Sequence, residues 1–136
     1  MFVFETDYNK VHVKIKLEDR VCVIKDNSGT GKTLAISMLK DSRQEVSNNI
    51  LFIDYSNYKE MLVLCKQFTG KDDVVICDNA DLYIGDEFSD ILSTSQAIFL
   101  VVCKRVGLLK ISGEEGGFYC VHHTCDFLSI EKDRRF

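Results

Sequence analysis

The chain has 136 residues, 46% of them hydrophobic and 28% charged, with a net charge of −4 at pH 7, the size and composition of one globular domain with its own core. The negative balance makes nucleic acid an unfavoured partner and argues against an anionic membrane surface, since both are held by clustered Lys and Arg. The apolar start, Met1 to Phe4, is too short for a signal peptide, and the longest apolar run, Ala97 to Cys103, is too short to span a bilayer. A soluble, cytoplasmic protein with no membrane partner is expected. Six cysteines, Cys22, Cys65, Cys77, Cys103, Cys120 and Cys125, form no CxxC pair, and three lie within runs of Val, Ile and Leu, which predicts reduced, buried thiols rather than disulfides.

Along the chain, Val11, Val13, Ile15 and Leu17 alternate with polar residues, the period of a strand with one wet face. Phe2 to Glu5 can pair with it across Thr6 to Lys10, giving an N-terminal hairpin. Arg20 to Lys25 is apolar without alternation from Val21 to Ile24, as in a strand covered on both faces. A helix follows from Thr33 to Lys40, with Ala35, Met38 and Leu39 on one side. Ile50 to Ile53 and Val74 to Cys77 read as buried strands, and between them Tyr58, Met61, Leu64, Cys65 and Phe68 recur at helical spacing. Glu87 to Leu92 is a short helix with Phe88, Ile91 and Leu92 inward. A strand from Ile98 to Cys103 leads to Leu108 to Ile111, and Phe118 to His122 is expected to hairpin back across Gly113 to Gly117 as an edge strand. The charged tail from Glu131 to Phe136 is expected to fray.

Strands separated by helices of this length are joined by crossovers. The expected fold is therefore α/β: a three-layer sandwich with a mostly parallel sheet and an N-terminal antiparallel hairpin. It forms a single domain over residues 1–136, comprising the hairpin (1–19), a core (20–111) and a C-terminal hairpin and tail (112–136).

The first βα junction carries the chemistry. It reads Asp26-Asn27-Ser28-Gly29-Thr30-Gly31-Lys32-Thr33, directly after a buried-type strand and directly before a helix. Glycines let backbone N–H groups turn toward phosphates, and the helix N-terminus adds its positive end. Lys32 reaches the outer phosphates and the Thr33 hydroxyl ligates Mg²⁺. Gly29 to Thr33 resembles the Walker A loop of P-loop NTPases, in the spelling common among AAA-type, additional-strand ATPases. Asp26 stands where the full motif has glycine.

Val74-Val75-Ile76-Cys77-Asp78, four apolar residues and an acid at a strand end, resembles Walker B. The resemblance implies Mg²⁺ as a cofactor alongside ATP, with Asp78 as its second protein ligand. In AAA-type members the residue after this Asp is Glu, which polarises the attacking water; here it is Asn79. An amide cannot take up the proton. Asp81, two residues on, is the other candidate catalytic residue. The resemblance thus implies an ATPase that is weak alone and depends on self-assembly or a protein partner. The alternative is a nucleotide-binding interaction module that does not hydrolyse. ATP is favoured over GTP because no NKxD-type motif is visible, and a small-molecule kinase lacks an arginine-bearing lid.

Other residues are less informative. Lys104-Arg105 lies near the place where AAA-type proteins carry a polar sensor, but a basic pair ending a strand in water explains it more simply. Cys120-Val121-His122-His123-Thr124-Cys125 contains zinc-type ligands. In a strand, however, Cys120 and His122 face one side while His123 and Cys125 face the other. Tyr55-Ser56-Asn57-Tyr58 reads as a helix N-cap, and Glu114 to Gly117 as a solvated turn.

Overall fold

A computed structural model of the protein describes residues 1–25, 31–68, 70–105 and 116–134. Among these the chain forms strands β1 (Phe2–Tyr8), β2 (Val11–Leu17), β3 (Val21–Lys25), β4 (Ile50–Ile53), β5 (Val74–Cys77), β6 (Ile98–Cys103), β7 (Gly116–His123) and β8 (Phe127–Lys132). The helices are α1 (Lys32–Asp41), α2 (Tyr58–Cys65) and α3 (Asp86–Thr94). All the strands join one sheet in the order β1-β2-β8-β7-β3-β6-β5-β4. No helix among the described residues is long and apolar enough to cross a membrane.

The expected three-layer, mostly parallel P-loop sandwich is not what forms. The sheet is mixed and curls into a half-barrel. Its cause lies in the chain ends. The N-terminal hairpin, β1 antiparallel to β2, does form, yet it is no appendage: β2 pairs parallel with β8, and β8 antiparallel with β7. These strands extend the sheet on the far side of β3. Every second residue along them, Phe2 and Phe4, Val13, Ile15 and Leu17, Tyr119, Leu128 and Ile130, is buried in one core with Ala35, Met38 and Leu39 of α1. The curl wraps that core. On the opposite face, α2 and α3 pack Leu62, Cys65, Phe88, Ile91 and Leu92 only against β3, β4, β5 and β6. A second helical layer therefore covers half of the sheet, and the other half turns outward a mixed face on which Glu5, Lys14 and Lys16 stand beside the exposed Val3 and Phe118.

Two further expectations change. Phe118 to His122 belongs to β7, which is internal, hydrogen-bonded to β3 on one side and β8 on the other; its proposed partner, Leu108 to Ile111, lies outside the described residues. Glu131 and Lys132, assigned to a frayed tail, end β8. A short strand closing on charged residues shows no apolar run to mark it.

The seam between the two halves is tied by Tyr119. Its phenol oxygen accepts the backbone N–H groups of Glu18 (2.7 Å) and Asp19 (3.1 Å) and its hydroxyl donates to the Asp19 carboxylate (2.8 Å). Lys132 Nζ lies 3.1 Å from the same carboxylate. Gly117 leaves room for it, because a Cβ there would land on Asp19 Oδ2. Burial pushes the Tyr119 phenol pKa up, so it stays a donor. Tyr119→Phe strands two N–H groups in a partly buried place, leaves the Asp19 carboxylate to Lys132 alone, and should lower the unfolding free energy by about 1–3 kcal/mol. Urea denaturation measures this; an unchanged midpoint would show that the seam does not depend on the phenol.

Candidate functional site

The site lies at one edge of the sheet, where β3, β5 and β6 end together because they run parallel. Residues 26–30 fall outside the described part, so the phosphate contacts expected of Asp26, Asn27, Ser28, Gly29 and Thr30 lie there. The chain re-enters at Gly31, the N-cap of α1, with φ +93° and ψ 2°, a left-handed conformation that glycine adopts without a steric penalty. No side chain caps α1 and no acid sits in its first turn, yet Lys32 occupies that turn and is only 9% exposed. A cation at a helix N-terminus opposes the helix dipole. An anion held there would reverse the conflict.

Thr33, next along α1, is exposed and lines a cleft of about 140 Å³ together with Ser37, Lys40, Phe52, Asp54 and Asp78. The structure thus places Thr33 and Asp78, from separate elements, around one space. Asp78 is anchored through its backbone: its N–H donates to Ile53 O (2.8 Å) and its carbonyl accepts the Tyr83 hydroxyl (2.7 Å). Tyr83 is itself held between a stacked Tyr58 ring and the edge of Phe88, each with centroids 5.6 Å away, so the strand end is braced from behind by three aromatic rings.

Asp54, at the end of β4, was not singled out from the sequence. Its Oδ1 accepts the Ser56 hydroxyl (2.6 Å) and backbone N–H (2.8 Å). The Ser56 hydroxyl bond in particular holds the Asp54 carboxyl below its ordinary range, despite some desolvation. Ser56 therefore serves Asp54, and Asn57 accepts the Asp54 N–H (2.8 Å) instead of capping α2. The Asp-x-Ser-Asn spacing is the only sequence signal for this turn.

The two candidate catalytic residues part company. Asn79 is exposed, with φ 49° and ψ 46°, the left-handed region in which Asn is among the better tolerated non-glycine residues; its N–H donates to Asp78 Oδ1 (3.0 Å). Asp81 turns away to the end of β6, where its carboxylate accepts the N–H groups of Lys104 (2.7 Å) and Arg105 (2.9 Å) and lies 3.6 Å from Arg105 Nε. Partial burial pushes the Asp81 carboxyl up, but those two backbone hydrogen bonds and the Arg105 charge outweigh it and hold the group low. Asp81 is thus an ionised clamp on the strand end rather than a group facing the cleft.

Elsewhere, Cys120 Sγ lies 3.2 Å from His122 Nε2 on one face of β7, while a Cβ on Gly31 would sit 2.8 Å from His123 Nδ1 on the other face. The four Cys and His side chains do not converge. Among the described residues no group of three or more His, Cys, Asp or Glu side chains forms a metal cage. None of the six cysteines is in a disulfide and four of them are buried, and burial pushes the Cys22 thiol up to about 12 and Cys65 to about 11. Arg20 donates to Ser95 O (2.9 Å), tying the end of α3 to the sheet. No protein-family model, curated protein or solved structure matches the chain.

The left-handed backbone at Asn79 has a measurable consequence. Asn79→Gly should leave stability within about 0.5 kcal/mol of wild type, whereas Asn79→Glu should lose about 1–2 kcal/mol because a longer side chain gains nothing locally to offset the strain. Thermal denaturation of the two variants decides it; equal melting points would mean that the position does not require this conformation.

Proposed function

We propose that the chain is a P-loop protein that binds Mg-ATP at the β3–α1 junction, with ATP hydrolysis weak or dependent on self-assembly or a partner. The observation that carries this reading is the joint position of Lys32, Thr33 and Asp78. Lys32 is buried at the start of α1, and Thr33 beside it shares a cleft with Asp78 at the end of a strand separated from β3 by β6 alone. An anion at this helix start gains the dipole, the Lys32 charge and the backbone N–H groups together. The oxygen donors of Thr33 and Asp78 suit Mg²⁺, a hard cation that binds through few carboxylates and keeps several waters. Mg²⁺, when bound, supplies positive charge beside the outer phosphates.

Hydrolysis further needs a group that orients water. Asn79 carries an amide and Asp81 is engaged with Lys104 and Arg105. This favours the second reading, a nucleotide-binding interaction module without turnover, over an autonomous ATPase. Asp54 is the remaining carboxylate on the cleft, with Oδ1 occupied by Ser56.

Binding to the folded state alone raises stability by mass action, by about 2.7 kcal/mol at a hundredfold excess over the dissociation constant. Millimolar Mg-ATP should therefore raise the melting temperature of the wild type, and Lys32→Ala should abolish most of that rise. If both proteins shift equally, or neither shifts, Lys32 is not a phosphate ligand.

A further inference from the structure

Strand β7 runs parallel to β3, with Ile24 opposite Tyr119, but β3 stops at Lys25 while β7 continues to His123, roughly 10 Å further at the rise of an extended chain. Tyr119 and Val121 point into the α1 side of the sheet, so His123, two residues on, points to the same side. There it meets the start of α1: a Cβ on Gly31 would sit 2.8 Å from His123 Nδ1 and 3.1 Å from Leu128 Cδ1. The perch is firm. His123 and Leu128 are the last paired residues of β7 and β8. The turn beyond them is closed by Thr124 N–H to Phe127 O (2.8 Å) and Thr124 Oγ1 to Asp126 Oδ1 (3.1 Å), and Asp126 O accepts the His12 N–H (2.9 Å). The His123 ring is nevertheless exposed.

Sheet order then gives a direction. β5, which Asp78 follows, lies on one side of β3 and β7 lies on the other. If the outer phosphates and the cation lie toward Thr33 and Asp78, the nucleoside end of the same ligand leaves the helix start on the β7 side. We infer that His123 is the nucleoside-contacting residue of the proposed site, its exposed imidazole lying against the base of a purine nucleotide whose phosphates sit on Gly31 and Lys32. This rests on the nucleotide-binding reading. A planar aromatic ring on a rigid strand end can stack any base face without a hydrogen-bond code, so the contact adds affinity for a nucleoside over inorganic polyphosphate.

The experiment compares two ligands, Mg-ATP and magnesium tripolyphosphate, by isothermal titration with wild type, His123→Ala and His123→Phe. His123→Ala should weaken ATP at least about fivefold, the lower end of what a lost base–aromatic stack costs, and leave tripolyphosphate within twofold. His123→Phe should keep ATP within twofold of wild type. Unchanged ATP affinity in His123→Ala would overturn the inference. So would a parallel loss of both ligands, which would make His123 a prop for the loop. A wild type that binds tripolyphosphate and ATP equally well, with His123→Ala silent for both, would refute the nucleoside contact and leave the phosphate site standing. A wild type that binds neither ligand would overturn the nucleotide reading and this inference with it.

Discussion

Parallel pairing of β3 with β6 on one side and β7 on the other is the constraint from which the site follows. Parallel strands end at the same edge of a sheet, and a strand that must hand its chain to a helix can do so only beyond that edge. The end of β3, the start of α1, Asp78 after β5, Lys104 after β6 and His123 at the end of β7 are therefore neighbours although they are spread over most of the sequence. Because β3 is flanked on both sides, the start of α1 sits at the middle of the edge, with the acidic Asp54 and Asp78 to one side and the His123 imidazole to the other.

The rest of the architecture supports that edge unequally. Behind Asp78, Tyr58, Tyr83 and Phe88 pack ring against ring and Tyr83 hydrogen-bonds the Asp78 carbonyl, so the carboxylate is displayed from a stiff strand end. Asp81 clamps Lys104 and Arg105, holding the end of β6 against the turn that follows Asp78. On the other side, β1, β2 and β8 close over α1 and press the tip of the β7–β8 hairpin onto Gly31. The half-barrel is thus tied to the site: its last pair, His123 and Leu128, reaches the N-cap of α1.

Local signals were strong where chemistry or burial leaves a mark in neighbouring residues. The apolar runs Ile50–Ile53, Val74–Cys77 and Ile98–Cys103 form strands with those bounds; the last two are buried throughout, where a polar residue is not tolerated, whereas Ile50–Ile53 is an edge strand and only Ile53 of it is buried. The alternation from Val11 to Leu17 marks a half-wet strand for the same reason. What could not be read was pairing between chain ends: nothing in Phe127 to Lys132 indicates that it will lie between β2 and β7, so the extent and curl of the sheet were missed. The site shows the same split. Gly31, Lys32, Thr33 and Asp78 stand out by type and spacing, and the structure sets Thr33 and Asp78 on one cleft. Asp81 differed because its partners, two backbone N–H groups some twenty residues downstream, have no residue type to announce them. Asp54 carries no such mark, and His123 shows in the sequence only as a zinc-type ligand, because the contact of each with its surroundings comes from tertiary placement alone.

The central claim is that one site, shared by α1 and the end of β5, holds nucleotide and magnesium together. Titrating ATP into wild type and Asp78→Asn, each with and without Mg²⁺, tests it most directly. Asparagine can still accept the Asn79 N–H through its Oδ1, so the substitution removes charge with little change of shape. The account predicts saturable one-to-one binding that Mg²⁺ tightens in the wild type and tightens far less in Asp78→Asn. No saturable binding at millimolar ATP, or an identical magnesium dependence in the two proteins, would contradict it.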